Sequence, residues 1–389
     1  MFNNICLLHT ISYPEISTTI HLKSECKALD RRSVLTSTTT KALLDAGYKA
    51  NVERSPERIF DDSEFEVVGA TLVPKGSWVD HIIIGLGELP EDKFALKHTH
   101  VLFAHCYKGQ GGWHDVLARF PQGGGTLLDL DFLTDDSGRV AAFGYYAGYT
   151  GAALALESWA WQLNNSADKP MPDVTSYPSR DLLLEDVKSK VLEGESKAGR
   201  KPRVLVIGAL GRCGRGAVDL CKQAGLPDEN ILKWDLPEMT AKPGPYQEIT
   251  DSGIFVNCIY FSDEIPPFVN GKSLSDPDRK LSVVCDVSCE TTNPHNSIPI
   301  YKENSTFDRP TIPAKVERGP PLTVITIDYL PSLLPRESSE VFSQALLPSL
   351  LQLKERKTAP VWTQAEKLFT DKVMTLLESL RSTFAVVTS

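Results

Sequence analysis

The residues with the clearest chemical potential run from Arg203-Val204-Leu205-Val206-Ile207-Gly208-Ala209-Leu210-Gly211 to Arg212-Cys213-Gly214. An apolar run suited to a strand buried on both faces leads into glycines at 208, 211 and 214. Such glycines let a backbone turn pass close to a pyrophosphate, and the helix that follows aims free N–H groups at it. Asp235 ends the next apolar segment, Asn230-Ile231-Leu232-Lys233-Trp234. There a carboxylate accepts hydrogen bonds from an adenosine ribose and repels a 2′-phosphate, which favours NAD over NADP. The alternative is an ordinary strand-to-helix turn whose glycines only permit close packing.

A second group is suited to proton transfer and to binding anions. His105 follows the strand-like Thr99-His100-Val101-Leu102-Phe103-Ala104 and precedes Lys108. An imidazole gives or takes a proton near neutral pH, and the carboxyl end of a parallel strand is where open α/β sheets bind ligands. Arg32, Lys108 and Arg139 lie next to strand ends or turns, and together they suit a substrate with several carboxylates. Asp30 and Asp131 are placed to orient these bases, or simply to cap and turn the chain. Taken singly, each basic residue also reads as a solvated surface charge, and His105 as a structural histidine. His98 and His100 read as structural; no third ligand at turn or helix spacing joins them, so no metal site is expected.

The elements that must position these groups alternate strand and helix. Strands are expected at 18–22, 49–53, 70–73, 80–86, 99–104 and 126–132, and again at 204–207, 230–234, 254–259, 281–287 and 323–327. Helices are expected at 37–46, 61–69, 113–120, 150–163, 179–192, 338–353 and 362–382. The helix at 150–163 is apolar all round, which suggests burial between two domains. The fold class is therefore α/β, with two Rossmann-like doubly wound domains and an active-site cleft between them. A substrate domain is expected over 1–143 plus 338–389, of which residues 1–17 carry no clear periodicity. A dinucleotide-binding domain is expected over 144–337.

Composition narrows the class of partner. The 389-residue chain carries 41 basic and 50 acidic residues, a net charge of −9, with no basic block. That argues against nucleic acid or an anionic membrane surface and for a small-molecule ligand. Eight scattered cysteines without a C-x-x-C pair, together with the lack of an apolar run of eighteen, fit reduced thiols in the cytoplasm. Cys213 in the glycine turn and Cys258 at a neighbouring strand end are placed to pair, although free thiols fit a reducing compartment.

Several blocks in order resemble fungal saccharopine dehydrogenase of the NAD-dependent, lysine-forming type, related in fold to alanine dehydrogenase. They are Phe103 to Lys108, Val140 to Gly144, Ile207 to Gly214, Ile231 to Asp235, Thr291 to Asn296 and Leu330 to Glu337, and the likeness extends from about Thr18 to about Met374. The resemblance implies reversible oxidation of a secondary amine to an imine with NAD, followed by hydrolysis to an amino acid and a 2-oxo acid, in a monomer or small homo-oligomer. It implies His105 as general acid/base, and Arg32, Gln110, Arg139 and Phe143 at the substrate. Around NAD it implies Gly211, Arg212, Asp235, Tyr260, Val287 and the segment Ile327, Asp328, Tyr329, Leu330. Cys213 and Cys258 resemble a pair able to form a disulfide. The departure is Gly87: where the family reads Ile-Gly-Leu-Lys-Glu with a catalytic lysine, this chain has Ile84-Gly85-Leu86-Gly87-Glu88. Asp30 and Asp131 stand where the family prefers glutamate, Met239 where it has a threonine and Tyr329 where it has a histidine.

Overall fold

Short apolar runs separated by helix-length segments dictate parallel strands joined by crossover helices. A computed structural model, which describes residues 18–78, 81–87, 89, 93–109, 111–260, 263–289, 291 and 295–387, contains two such sheets. Gln110, Glu88 and Thr292-Asn293-Pro294 lie outside the described residues. The first sheet comprises β1 (Thr19–Leu22), β2 (Lys49–Glu53), β3 (Thr71–Val73), β4 (Ile82–Ile84), β5 (Thr99–Leu102) and β6 (Thr126–Asp129). Their order is β3-β2-β1-β4-β5-β6, all parallel. Helices α1 (Ser37–Asp45), α2 (Asp62–Val67) and α3 (Trp113–Gly123) connect them, and the hairpin of β7 (Thr134–Asp135) and β8 (Gly138–Arg139) follows.

Helices α4 (Gly144–Asn164) and α5 (Arg180–Ala198) lead to the second sheet, formed by β9 (Val204–Ile207), β10 (Ile231–Trp234), β11 (Ile254–Asn257), β12 (Val283–Asp286), β13 (Ile312–Pro313) and β14 (Thr323–Ile325). Its order is β10-β9-β11-β12-β14-β13, and β13 alone runs antiparallel. Helix α6 (Arg212–Gln223) follows β9, and α7 (Leu236–Thr240), α8 (Gln247–Thr250) and α9 (Gly271–Leu274) are short. Helices α10 (Pro335–Leu350) and α11 (Pro360–Val387) return to the first sheet, where Phe342, Leu346 and Trp362 join its core. Strand order reverses beside β1 and beside β9. The crevices at the carboxyl ends of β1 and β4, and of β9 and β11, are therefore the expected ligand positions.

Helix α4 starts six residues earlier than its alanine- and tryptophan-rich stretch suggests, and it is buried against α5, α6 and strands of the second sheet rather than between domains. Its glycines explain both differences. A Cβ on Gly148 would lie 1.9 Å from the Cys213 carbonyl oxygen, and one on Gly216 of α6 would lie 1.9 Å from that of Tyr145. The two helices cross backbone to backbone, so Gly148 and Gly216 serve a helix contact.

In the first sheet a buried carboxylate holds the segment that follows β1. Glu53 accepts hydrogen bonds from His21 Nε2 (3.1 Å), Ser24 N–H (2.7 Å), Ser24 Oγ (2.9 Å), Gly76 N–H (2.7 Å) and Trp78 Nε1 (2.8 Å). Burial raises its pKa, but these donors outweigh burial and bring it down to about 2. Relative to an ordinary carboxyl near 4.5, the depressed value makes this stabilisation fully present above pH 4.5 and lost as pH falls towards 2. Urea titrations between pH 5 and pH 2 are expected to show a loss of stability that is smaller in Glu53→Gln. The same method reads the helix crossing. Gly216→Ala is expected to lose about 1–3 kcal/mol through overpacking, against a propensity gain of at most about 1 kcal/mol. Gly271→Ala, where a Cβ meets nothing within 4 Å, leaves stability within about 0.5 kcal/mol of the parent.

Candidate active site

Three strands of the first sheet deliver charged or open backbone to one place. The end of β1 continues as Lys23-Ser24-Glu25, that of β4 as Gly85-Leu86-Gly87 and that of β5 as Phe103-Ala104-His105. Glu25, Gly87, Phe103 and His105 line a cavity of about 120 Å³ together with Lys27, Asp30 and Arg32. Asp328 and Tyr329, which follow β14 of the second sheet, close its other side.

Arg32 is fixed on two sides. Its Nε and Nη2 donate to the two oxygens of Asp30 at 2.8 and 2.7 Å, and its guanidinium lies 4.5 Å above the Phe143 ring, which itself stacks on Phe342 at 4.2 Å. Ser332 Oγ donates to Asp30 at 3.0 Å. Burial raises the Asp30 carboxyl, yet Arg32 and Ser332 outweigh it and hold the group below its ordinary value. A second carboxylate organises two more cations: Asp131 accepts from Lys108 Nζ at 2.9 Å and pairs with Arg139 Nη2 at 2.6 Å. Burial pushes Asp131 up, and Arg139 and Lys108 more than reverse that. Arg32, held by Asp30, thus lines the cavity, while Lys108 and Arg139 share Asp131.

His105 has a positive φ of 51°, uncommon for a residue with a side chain, and its ring lies alongside Phe103 at 6.4 Å. The side chain is open to the cleft. The enclosing walls lower its pKa from 6.5, helped by Lys108 and Lys27 and opposed by Asp131 and Asp328. A neutral imidazole facing the cavity is suited to taking up a proton and returning it. His100, by contrast, is fully buried and pushed down to about 3 by desolvation, which fits a structural histidine.

In the second sheet the glycine turn has the shape its spacing suggests. Gly208 has φ 80°, and a Cβ there would stand 2.5 Å from Ile259; a Cβ on Gly214 would stand 2.1 Å from the Gly208 carbonyl oxygen. Gly211 caps α6, and the helix start has neither a side-chain cap nor an acidic residue in its first turn, which leaves it suited to an anion. Asp235 caps α7 through Leu236 N–H at 2.9 Å and receives Leu210 N–H at 3.0 Å, which seats its carboxylate beside the turn. A cradle closed to any Cβ, an uncapped helix start and a seated carboxylate fit a dinucleotide. Arg212 Nη2 donates to the Arg139 carbonyl oxygen at 2.8 Å and so joins this turn to β8.

The other residues expected around the dinucleotide divide. Asp328 pairs with Lys27 at 2.6 Å, the Tyr329 ring lies 4.9 Å from Lys27 Nζ, and the half-exposed Tyr260 ring lies 5.5 Å from Lys108 Nζ. Ile327 and Leu330 point into the core of the second sheet, with Val287 packed against it, because they are the apolar positions of their segment. Cys213 and Cys258 are neighbouring free thiols; burial and the Cys213 thiol push Cys258 well above its ordinary value. Lys23, Glu25 and Lys27 were not among the expected site residues. The available signal was a charged tripeptide spacing directly after the first strand, where the parallel-sheet rule puts ligands.

Among the described residues, no group of three or more His, Cys, Asp or Glu side chains is placed to hold a metal ion, and no helix is long and apolar enough to cross a membrane. Residues 21–150 match the alanine dehydrogenase/PNT N-terminal domain. The chain superposes on an L-alanine dehydrogenase structure with a TM-score of 0.60, at 13% identity over 91% of this chain and 100% of that one, a likeness of fold. It is 58% identical to "Saccharopine dehydrogenase [NAD(+), L-lysine-forming]" of Emericella nidulans, over 92% of this chain and 98% of that protein. With the Neurospora crassa protein of the same name it shares 64% identity over 93% of this chain and 98% of the other. Identity of this extent along nearly the whole chain places it in the family of NAD-dependent, lysine-forming saccharopine dehydrogenases.

Proposed function

We propose that this chain transfers hydride between NAD(H) and the C–N bond of a secondary amine or imine joining an amino acid to a 2-oxo acid, with a substrate or proton route that has diverged at Gly87. The observation that carries the reading is the cavity itself: His105 lines it with Lys27 and with Arg32, which Asp30 holds, and Asp131, paired with Lys108 and Arg139, acts on the imidazole. The turn at Gly208, Gly211 and Arg212 with the start of α6 would hold the pyrophosphate, and Asp235 the adenosine ribose. NAD, when bound, takes up or returns the hydride.

The protein's own groups do the rest. Asp30 occupies the Nε/Nη2 edge of Arg32, which leaves the Nη1 edge for a substrate carboxylate, and Arg139 and Lys108 supply charge for a second one. His105 takes a proton from the water that attacks the imine and returns one in the reverse direction. Asp131 sets the electrostatics of that exchange, because it offsets Lys108 beside the imidazole. Gly87 removes a side chain from the rim, so proton removal from the amine falls to another group. The chain acts in the cytoplasm on small molecules, as a monomer or small homo-oligomer, in keeping with its acidic net charge and lack of basic blocks.

A second reading, an unchanged lysine-forming saccharopine dehydrogenase with a substitute base, is favoured by the 64% identity to a relative of that name. Purified protein with NADH, 2-oxoglutarate and a panel of amino acids separates the two by the fall in NADH absorbance. Turnover with lysine supports the second, turnover with a different amine the first, and retained NADH binding without turnover on any pair overturns both. Gly87→Lys tests the pocket. Its Cβ would lie 3.0 Å from the Phe103 carbonyl oxygen, a tight but open position, and a gain in lysine-dependent turnover is expected if the surrounding pocket still accepts lysine. His105→Ala is expected to lower turnover by about 10²- to 10⁴-fold. Because the His105 pKa is lowered, its neutral form persists below pH 6.5, so the part of the rate that depends on His105 is expected to be lost only beneath pH 6.5, and that acid-side loss is absent in the alanine variant. A rate indifferent to the alanine variant would remove the assignment.

A further inference from the structure

The environment of Gly87 contains an amine supplied by a neighbouring strand. Gly85 has no side chain, and the stem of Lys23 uses the space: a Cβ there would lie 2.5 Å from Cε and 2.6 Å from Cγ of Lys23. Lys23 is 2% exposed and crosses the end of β4, where its Nζ donates to Glu25 Oε2 at 2.8 Å and to the Ser24 carbonyl oxygen at 3.5 Å. The carboxylate of Glu25 is pinned from the other side. Its Oε1 accepts Leu86 N–H at 2.7 Å, and its Oε2 receives Gly87 N–H at 3.4 Å. Glu25 and Gly87 both line the 120 Å³ cavity that His105 faces. A second, small cavity of about 10 Å³ behind it touches Lys23, Glu25, Asp30 and Arg32, so polar groups continue inward from the rim. At position 87 a Cβ would meet, among the described residues, only Phe103, so the carboxylate is not screened by a side chain there.

We propose that Glu25 and Lys23 form a two-member proton relay that does the work of a basic side chain at position 87. The inference rests on the reading that oxidation of a secondary amine is the reaction. The substrate N–H bond breaks as an O–H bond forms on Glu25; that proton then passes to the neutral amine of Lys23, which restores the carboxylate. The freed nitrogen electron pair forms the C=N bond as the hydride leaves the adjacent carbon for NAD⁺, the oxidant of the proposed reaction. A carboxylate alone is too weak a base for an aliphatic ammonium, by about six orders of magnitude on ordinary values. Ending the transfer on a second aliphatic amine closes most of that gap. Lys23 accepts the proton only after giving up one of its own, so oxidation speeds up as pH rises. Glu25 is the group that meets the substrate, and Lys23 acts through it.

Lysine and arginine separate this role from a structural one. Lys23→Arg keeps a cation for Glu25 but cannot give up its proton at any working pH, whereas Lys23→Met removes both properties. Glu25→Gln keeps an acceptor for Leu86 N–H and loses the ability to take a proton. The three variants are measured for NAD⁺-dependent amine oxidation from pH 6 to pH 10, with NADH affinity followed by fluorescence. The relay predicts that each lowers kcat by about tenfold or more and flattens the alkaline rise, while NADH affinity stays within about twofold. A Lys23→Arg enzyme with wild-type kcat and an intact alkaline rise overturns the relay and leaves Lys23 as an anchor. If Lys23→Met does not fold, Lys23→Arg and Glu25→Gln decide the matter. Wild-type protein that oxidises no secondary amine removes the underlying reaction and the relay with it, an outcome distinct from full activity in the variants.

Discussion

Two helix backbones touch in this molecule, and the cleft depends on their contact. Helix α4 begins directly after Phe143, against which Arg32 is stacked, and α6 begins at Gly211 in the turn suited to a pyrophosphate. Helices that meet through side chains sit 8–10 Å apart. Here Gly148 and Gly216 let main chain meet main chain, so the spacing between the two sides of the site is set by atoms that have no rotamers to change. The Arg212 bond to the Arg139 carbonyl oxygen lies at the same seam. Tolerance for substitution is therefore least where the residues are smallest.

Within that frame, cations and carboxylates alternate around the cavity: Asp30 with Arg32, Asp131 with Lys108 and Arg139, Asp328 with Lys27, Glu25 with Lys23. Pairs of this kind contribute little net stability, because the cost of removing the charges from water offsets most of their attraction. Their value lies in orientation. A guanidinium held on one edge by Asp30 presents its other edge without having to reorganise when a carboxylate arrives. The same alternation tunes His105, which two lysines push towards its neutral form and two aspartates pull back. A lone basic patch would attract an acidic substrate and leave the imidazole fixed in one state; the mixed arrangement does neither to excess.

Much of this was legible in the sequence, for identifiable reasons. Buried parallel strands need unbroken apolar runs, so Val204 to Ile207 and Ile82 to Ile84 announced themselves, and the glycine spacing with Asp235 located the turn. His105 and Asp131 could be read as partners of Lys108 because strand ends converge in parallel sheets. The start of α4 was not legible. Gly148 gives no helix signal until a second helix is seen to need its missing side chain, and that need comes from Cys213, more than sixty positions away. Ile327 and Leu330 belong to the core of the second sheet for a related reason: a segment that lines a site still spends its apolar positions on the core. Lys23 and Glu25 escaped notice because ordinary charged residues after a strand become informative only once the order β2-β1-β4 is known.

That order also limits how a missing side chain at position 87 can be compensated. β1 and β4 are paired with Leu22 opposite Ile84, and Lys23 N–H still donates to the Ile84 carbonyl oxygen at 2.9 Å, one residue beyond the strand. Residues just past β1 therefore open onto the same crevice as residues just past β4. A lysine at 23 reaches it by lying across Gly85, a route that any larger residue at 85 would block. Lys108, on the far side of His105, is already committed to Asp131 and stands over the ring of Tyr260. Among the described residues the first sheet thus offers the position beside Gly87 a nearby amine from β1, held by a carboxylate that the 86–87 backbone itself clasps. Proton chemistry at such a crevice belongs to the two strand ends together, and the loss of one side chain there moves the chemistry by a strand without removing the means for it.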